Sequence, residues 1–321
     1  MTIQAAASID IHGTRLRYAE VQQPPDGYRL LRLGSCDFDF DVTHELLRAT
    51  APAHLDVVAE ALQDAFRGSV AQTLRVAFHP PDVHAFTTAL PTDLPDPARQ
   101  QRVNQETALL MGAETSEGLY ISSEMLQAEA LPDADALDWL RVLALPDAVQ
   151  ERFERVLAPL PHSEHRWMLS TEGAARVAQW ASQQAAVQPG PSPSSTPPQQ
   201  PSAAASTPFT LLVGWYGDFA EYALLHNNEW YFGHHAAIGS ANDCAYFSAA
   251  LLDHLDVPLG AVGRVSLYGK DVDPSAFAPL QAVFGVAPEV LNPLMAVGVD
   301  QQQVEGDFAP DVYVPCIGAA L

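Results

Sequence analysis

The chain has 321 residues and a formal net charge of −23, with 39 acidic residues against 16 basic ones. This balance argues against a nucleic-acid partner, because contact with a phosphate backbone needs a basic footprint and none is visible. Two readings of the acidity stay open: a surface adapted to high salt, where a short screening length relieves self-repulsion, or an acidic docking surface. Lysine occurs once, at Lys270, so arginine supplies the remaining basic side chains.

Cys36, Cys244 and Cys316 stand far apart with no paired motif. They read as buried small hydrophobes in a reducing compartment. The first residues lack a basic region and meet Asp10 early, which does not fit a signal peptide. No apolar run approaches the ~18–20 residues of a spanning helix, so the expectation is a cytoplasmic protein without direct membrane insertion.

In chain order, strands are predicted near 6–12, 15–21 and 28–34, with His12-Gly13-Thr14 forming the first turn. A helix is predicted over 43–66, with Thr43 as its N-cap and Leu46, Leu47, Leu55, Val58, Ala61, Leu62 and Phe66 near a 3.6-residue period. Pro52 should break or kink it. Residues 72–145 read as an inserted α+β subdomain, with strand-like segments at 72–79, 83–90, 119–130 and 137–144 and a helix at 97–111. Helices at 146–158 and 171–186, with a short strand at 166–170, return to the first lobe.

Residues 187–208 are dominated by Pro, Ser and Gln and have almost nothing to bury, the composition of a disordered linker. Beyond it the first pattern repeats. Strands are predicted at 209–214, 219–225 and 229–235, with a turn at Asn227-Asn228, and then a helix at 241–254. The predicted organisation is therefore lobe 1 (1–71 and 146–186), the insert (72–145), the linker (187–208) and lobe 2 (209–321). Three strands followed by a helix, twice over, indicates an internal duplication.

The order of elements resembles the actin-like superfamily and, within it, the PilM-type protein of type IV pilus assembly. The likeness covers nearly the whole chain outside the linker and is most specific at the C-terminal end. Val265-Ser266-Leu267-Tyr268-Gly269 stands where the family has a strand entering its adenosine loop. Phe277–Phe284 fits the following helix, and 285–293 resembles the passage through Gly into Asn-Pro. The ending Ile317-Gly318-Ala319-Ala320-Leu321 is similar to the family's closing helix. Ala89-Leu90-Pro91, Glu106 and the 139–146 strand resemble its added subdomain.

The resemblance implies an α/β fold of duplicated actin-like, ribonuclease H-like lobes. It also points to a nucleotide site, of which Asp10, Gly13, Thr14, Gly217 and Gly269 are the candidate remnants. Such a site needs two Gly-containing hairpins that bring N–H groups onto phosphates, an Asp in each to hold hydrated Mg²⁺, and a Gly-Gly pair near the adenosine. In this chain His12 replaces the Gly after Asp-Ile and should crowd the turn. Gly214 falls where the second Asp belongs, Tyr216 replaces the next Gly, and Asp218 lies too late to substitute. Tyr268-Gly269-Lys270 replaces the Gly-Gly pair. Asp10 also reads as a turn-capping carboxylate, and Lys270 as a solvated turn residue.

His162 and His165, at the spacing of one helical face, and His234-His235 lack the further ligands of a zinc site. No nucleophile elbow, P-loop or dinucleotide loop is present. Asp37/Asp39 read as a solvated face, and Trp215, Tyr216 and Tyr222 as packing residues.

The resemblance therefore implies a non-catalytic scaffold without a cofactor, peripheral to the inner membrane, holding the cytoplasmic tail of a single-span pilus protein. Weak ATP–Mg²⁺ binding and self-association stay open. The alternatives are an actin-like ATPase or kinase, and the cytoplasmic scaffold of type II secretion. The second usually continues into a membrane span, whereas this sequence ends at Leu321. Deleting 189–206 should leave soluble protein with an unchanged cooperative unfolding transition. Loss of that transition in a denaturant titration would contradict the linker assignment.

Overall fold

A computed structural model describes residues 4–25, 27–126, 137–187, 209–299 and 308–321. The predicted linker lies outside the described residues, apart from its first position. The chain divides into two compact units, Met1–Gly173 with Pro315–Leu321, and Ala174–Val314.

The first unit is built on a five-stranded sheet of order β3-β2-β1-β4-β8. Its strands are β1 (Gln4–His12), β2 (Arg15–Gln23), β3 (Arg29–Asp37), β4 (Thr73–Phe78) and β8 (Glu164–Leu169). The first three form an antiparallel meander, and β4 and β8 add in parallel. Alternation sends Phe78 toward helix α3 (Asp147–Leu157), where its ring meets Phe153 edge-on at 5.3 Å. Ala77 points the opposite way and packs with Met168 and Ala319. Ala319 belongs to helix α7 (Val314–Ala320). Close approach there depends on glycine. A Cβ on Gly173 would lie 2.5 Å from the Pro315 carbonyl oxygen, and one on Gly318 would collide with the Gly173 carbonyl.

The predicted 43–66 helix is two pieces. A π-type turn covers His44–Arg48, and helix α1 covers Leu55–Ala65. Thr43 makes no side-chain cap; Asp41 accepts from the His44 N–H at 2.9 Å instead. Glu45 then accepts from the N–H groups of Ala53 and His54 at 2.8 and 3.1 Å, satisfying donors where α1 begins. Pro52 separates the pieces.

The insert starts later than the sequence suggested. The strand within 72–79 is β4, a member of the main sheet, paired in parallel with β1 and β8 and carrying Phe78 against α3. The insert's own sheet, of order β5-β7-β6, contains β5 (His84–Pro91), β6 (Leu119–Met125) and β7 (Leu137–Pro146). Helix α2 (Asp96–Leu110) lies on it, with Leu90, Val103, Leu140 and Val142 as the shared core. Buried Arg141 of β7 contacts Glu172 at 2.6 Å and also pairs with Glu124.

The second unit repeats the first. Its sheet has the order β11-β10-β9-β12-β13, formed by β9 (Phe209–Trp215), β10 (Phe219–His226), β11 (Glu229–Ala237), β12 (Val262–Gly269) and β13 (Glu289–Val290). Asn227 and Asn228 both take positive φ, 53° and 65°, as a two-residue hairpin turn requires. Helices α5 (Ala241–His254) and α6 (Ala278–Phe284) enclose one core through Cys244, Leu252, Leu280 and Phe284. Hydrogen bonds from Gln179 to Glu229 and from Arg264 to Ser182 attach helix α4 (Ser170–Val187) from Ala174 onward. The unit boundary thus assigns most of α4 to the second lobe and 315–321 to the first. The predicted boundaries followed chain order, which does not record that each helix packs on a sheet formed by distant residues.

The duplication extends to an irregularity. Ladder β2–β3 shifts register between Glu20 and Val21, and ladder β10–β11 shifts between Leu224 and Leu225, the matching place.

His162 and His165 do not share a helical face: His165 is on β8, and His162 is in the loop before it. His162 Nε2 lies 3.2 Å from the Ser69 hydroxyl, with the Phe66 ring edge-on at 5.0 Å. Burial lowers its pKa from 6.5 to about 4. Below pH 6.5 the unfolded chain gains a proton that folded His162 refuses, so this contribution to stability is complete above pH 6.5. It falls as the pH drops toward 4, by up to about 1.4 kcal/mol per pH unit. Urea unfolding of wild type and His162→Gln across this range should show a shallower pH slope in the variant.

Candidate functional site

The turn between β1 and β2 is short because Gly13 takes φ 59°. Its backbone is tied into lobe 1: the Thr43 N–H donates to the Gly13 carbonyl at 3.2 Å, and the Phe38 N–H to the Thr14 carbonyl at 2.9 Å. His12 does not crowd this turn. It ends β1, with its ring 5.4 Å from that of His79 in an edge contact.

Asp10 lies fully buried beneath α7, near Ser8, whose hydroxyl donates to the Cys316 carbonyl. Two nitrogen-bearing side chains face the Asp10 carboxylate. Arg17 is directly across the hairpin, with its guanidinium donating at 3.4 Å. His79, just after β4, brings Nε2 to 2.9 Å of the other carboxylate oxygen. Burial alone would raise the Asp10 pKa, but His79, Arg17 and His12 hold it below the ordinary carboxylate range. Asp10 is therefore a structural counter-ion here, and not the turn cap that its position suggested.

Lobe 2 answers this arrangement position by position. In lobe 1, Asp10 pairs with Arg17 on β2 and Ala77 on β4. In lobe 2, Gly214 pairs with Glu221 on β10 and Tyr268 on β12. The ladders place Gly214 at the position in lobe 2 that Asp10 holds in lobe 1. Tyr268 fills the space this leaves: a Cβ on Gly214 would lie 2.7 Å from both the Tyr268 ring and the Glu221 stem. The Tyr268 hydroxyl donates to Glu221 at 2.8 Å, and the Tyr216 hydroxyl donates to the same oxygen at 3.3 Å. Both tyrosines and Glu221 are buried.

Gly217 lies in the β9–β10 loop with φ 99°. Gly269, with φ 108°, ends β12 directly against the Trp215 backbone, and the Lys270 N–H donates to the Trp215 carbonyl at 2.7 Å. These two glycines share one end of the lobe 2 sheet, as Asp10, Gly13 and Thr14 share the matching end of lobe 1. Asp218 is exposed, and its carbonyl accepts from Ile238 at 3.0 Å. Among the described residues, no group of three His, Cys, Asp or Glu side chains could hold a metal ion.

Sequence reasoning missed Arg17, His79, Glu221 and Tyr268 as members of these centres. Arg17 and Glu221 had a readable signal, since a tight turn pairs residues at fixed offsets across a hairpin. His79 and Tyr268 had none, because parallel pairing with β4 and β12 is long-range.

Asp10→Asn should destabilise the protein by about 3–5 kcal/mol, because Arg17 would stay buried without its counter-charge. Denaturant unfolding at neutral pH checks this, and a loss below about 1 kcal/mol would contradict the counter-ion role.

No protein-family model matches the sequence, and no curated protein matches it. Solved structures do resemble the fold. The PilM–PilN type IV pilus biogenesis complex aligns over 98% of this chain and 97% of that chain, at 13% identity and a TM-score of 0.67. A Bacteroides thetaiotaomicron protein with an actin-like ATPase fold and unknown function aligns over 92% and 96%, at 9% identity and a TM-score of 0.51. The cytoplasmic domain of EpsL, an inner-membrane component of the Vibrio cholerae type II secretion system, aligns over 84% of each chain at 10% identity and a TM-score of 0.43. With one strand order and one β-bulge repeated in both lobes, and with the first two of these likenesses over nearly its whole length, the chain has the actin-like ATPase fold.

Proposed function

We propose that this chain is a non-catalytic scaffold of type IV pilus assembly, held at the cytoplasmic face of the inner membrane by a protein partner. The observation that carries the non-catalytic half is the Asp10–Arg17–His79 cluster. A carboxylate that is to hold hydrated Mg²⁺ needs open coordination sites and a water-accessible approach. Here both carboxylate oxygens face protein nitrogens, one of them the Arg17 guanidinium, and α7 covers the group. At the matching place in lobe 2, Gly214 offers no carboxylate, and the Tyr268 ring occupies the space beside it.

The likeness to the PilM–PilN complex over both chains supports the pilus half. The proposed ligand is the cytoplasmic tail of a single-span inner-membrane pilus protein. Such an extended peptide can be held by strand addition and side-chain pockets. The net charge of −23 favours a tail carrying Arg or Lys. Among the described residues, no helix is long and apolar enough to cross a membrane, in keeping with attachment through a partner.

Calorimetric titration of MgATP at molar salt should give no saturable heat. Titration with the cytoplasmic tail peptide of a single-span pilus protein should give saturable binding that weakens as salt rises. Saturable MgATP binding that Asp10→Ala abolishes would replace this reading with an actin-like ATPase or kinase.

A further inference from the structure

The two lobes share one sheet order, so each exposes an equivalent outer strand, β3 in the first and β11 in the second. Outer strands present a row of backbone donors and acceptors that another strand can join, and proteins usually guard them with charge. The shared bulge fixes which residues correspond. Arg15 pairs with Asp37 where Phe219 pairs with Ala237, and Glu20 pairs with Arg32 where Leu224 pairs with Phe232.

On β3 both matched positions are charged and engaged. Arg32 bonds Glu20 at 3.2 Å and the Ala65 carbonyl at 2.8 Å, and Asp37 pairs with Arg15. On β11 the same positions are Phe232 and Ala237. The absence of charge extends further, since residues 230–242 contain no Asp, Glu, Lys or Arg. This is a long interval in a chain with 55 formally charged residues, 39 acidic and 16 basic. Tyr231, Phe232, Ala236 and Ile238 pack inward against the lobe 2 core, which holds the strand in place, while His234 and Ala237 are exposed. Among the described residues β11 pairs with β10 alone.

We infer that the β11 edge is a self-association surface, where a second copy of this chain adds its own β11 antiparallel and joins the two lobe 2 sheets across a two-fold axis. Charge selects the occupant. A cationic tail would be drawn to the acidic surface elsewhere and finds no counter-charge along 230–242. A second β11 is equally uncharged from Trp230 to Ala237, beyond the Glu229 that begins it, and the isologous pairing is self-complementary. The net charge of each copy opposes the encounter, so the association is governed by screening. It strengthens with salt, the opposite of the dependence expected for a basic tail. This inference does not rest on the pilus reading and survives if that reading fails.

The test is sedimentation equilibrium of the full chain in about 0.1 M and about 1 M KCl, where the screening length falls from about 10 to about 3 Å. Amide exchange over β11 should be followed at low and high protein concentration. We expect a monomer–dimer equilibrium that shifts toward dimer at high salt, with β11 amides gaining protection as concentration rises. Ala237→Asp, which restores the charge of lobe 1, combined with His234→Glu should weaken the dimer more than about tenfold, because each substitution enters the interface twice. The unfolding midpoint of the variant reports whether it remains folded. Ser35→Glu on β3 should leave the dimer intact. A monomer at both salts, a dimer indifferent to the β11 substitutions, or β11 protection that appears only with an added basic peptide would each overturn the inference.

Discussion

The buried carboxylate of Asp10 is the constraint around which lobe 1 is organised. An ionised group without water needs opposite charge and hydrogen bonds close by, or its desolvation cost unfolds the domain. Arg17 supplies that charge from β2, His79 brings a ring nitrogen from just after β4, and α7 closes over the group. Both oxygens of this carboxylate are thereby turned toward the protein's own side chains.

Lobe 2 reaches a closed arrangement by a different route. Its strands keep the register, yet the aspartate position is glycine, and the missing side chain makes room for Tyr268. Glu221 then stands where lobe 1 has Arg17, and two tyrosine hydroxyls donate to it. One lobe matches charge with charge, and the other matches a carboxylate with neutral donors. Both fill the end of the sheet beside the hairpin with the protein's own side chains. The duplicated framework has tolerated this exchange because backbone pairing, and not the identity of these side chains, holds the strands in place.

The same divergence marks the outer strands. Ion pairs guard β3, whereas β11 relies on none over its matched positions. In a molecule this acidic, an uncharged strand edge is where two copies can approach with least repulsion. Elsewhere the net charge of −23 opposes the approach of like copies.

Local sequence determined the elements and their order. The strand triplets, the Asn227-Asn228 turn, α5 and the insert's helix all rest on period and turn residues that act within a few positions. The Asp10–Arg17 pairing was equally legible, because the Gly13 turn sets which residues oppose each other across the hairpin. Tertiary structure decided the rest. The strand at 73–78 could not declare membership of the main sheet, since a parallel neighbour is chosen by packing on both faces. The break in the 43–66 helix was legible in Pro52, but the donors that Glu45 found eight and nine residues on lie beyond the reach of helical periodicity. His79 and Tyr268 became site residues only when parallel strands carried them beside β1 and β9. The sequence alone thus specified two like lobes, each with a hairpin after its first strand. Long-range pairing decided which side chains fill the end of each sheet beside that hairpin, because only folding brings charges and rings so distant in the chain into contact.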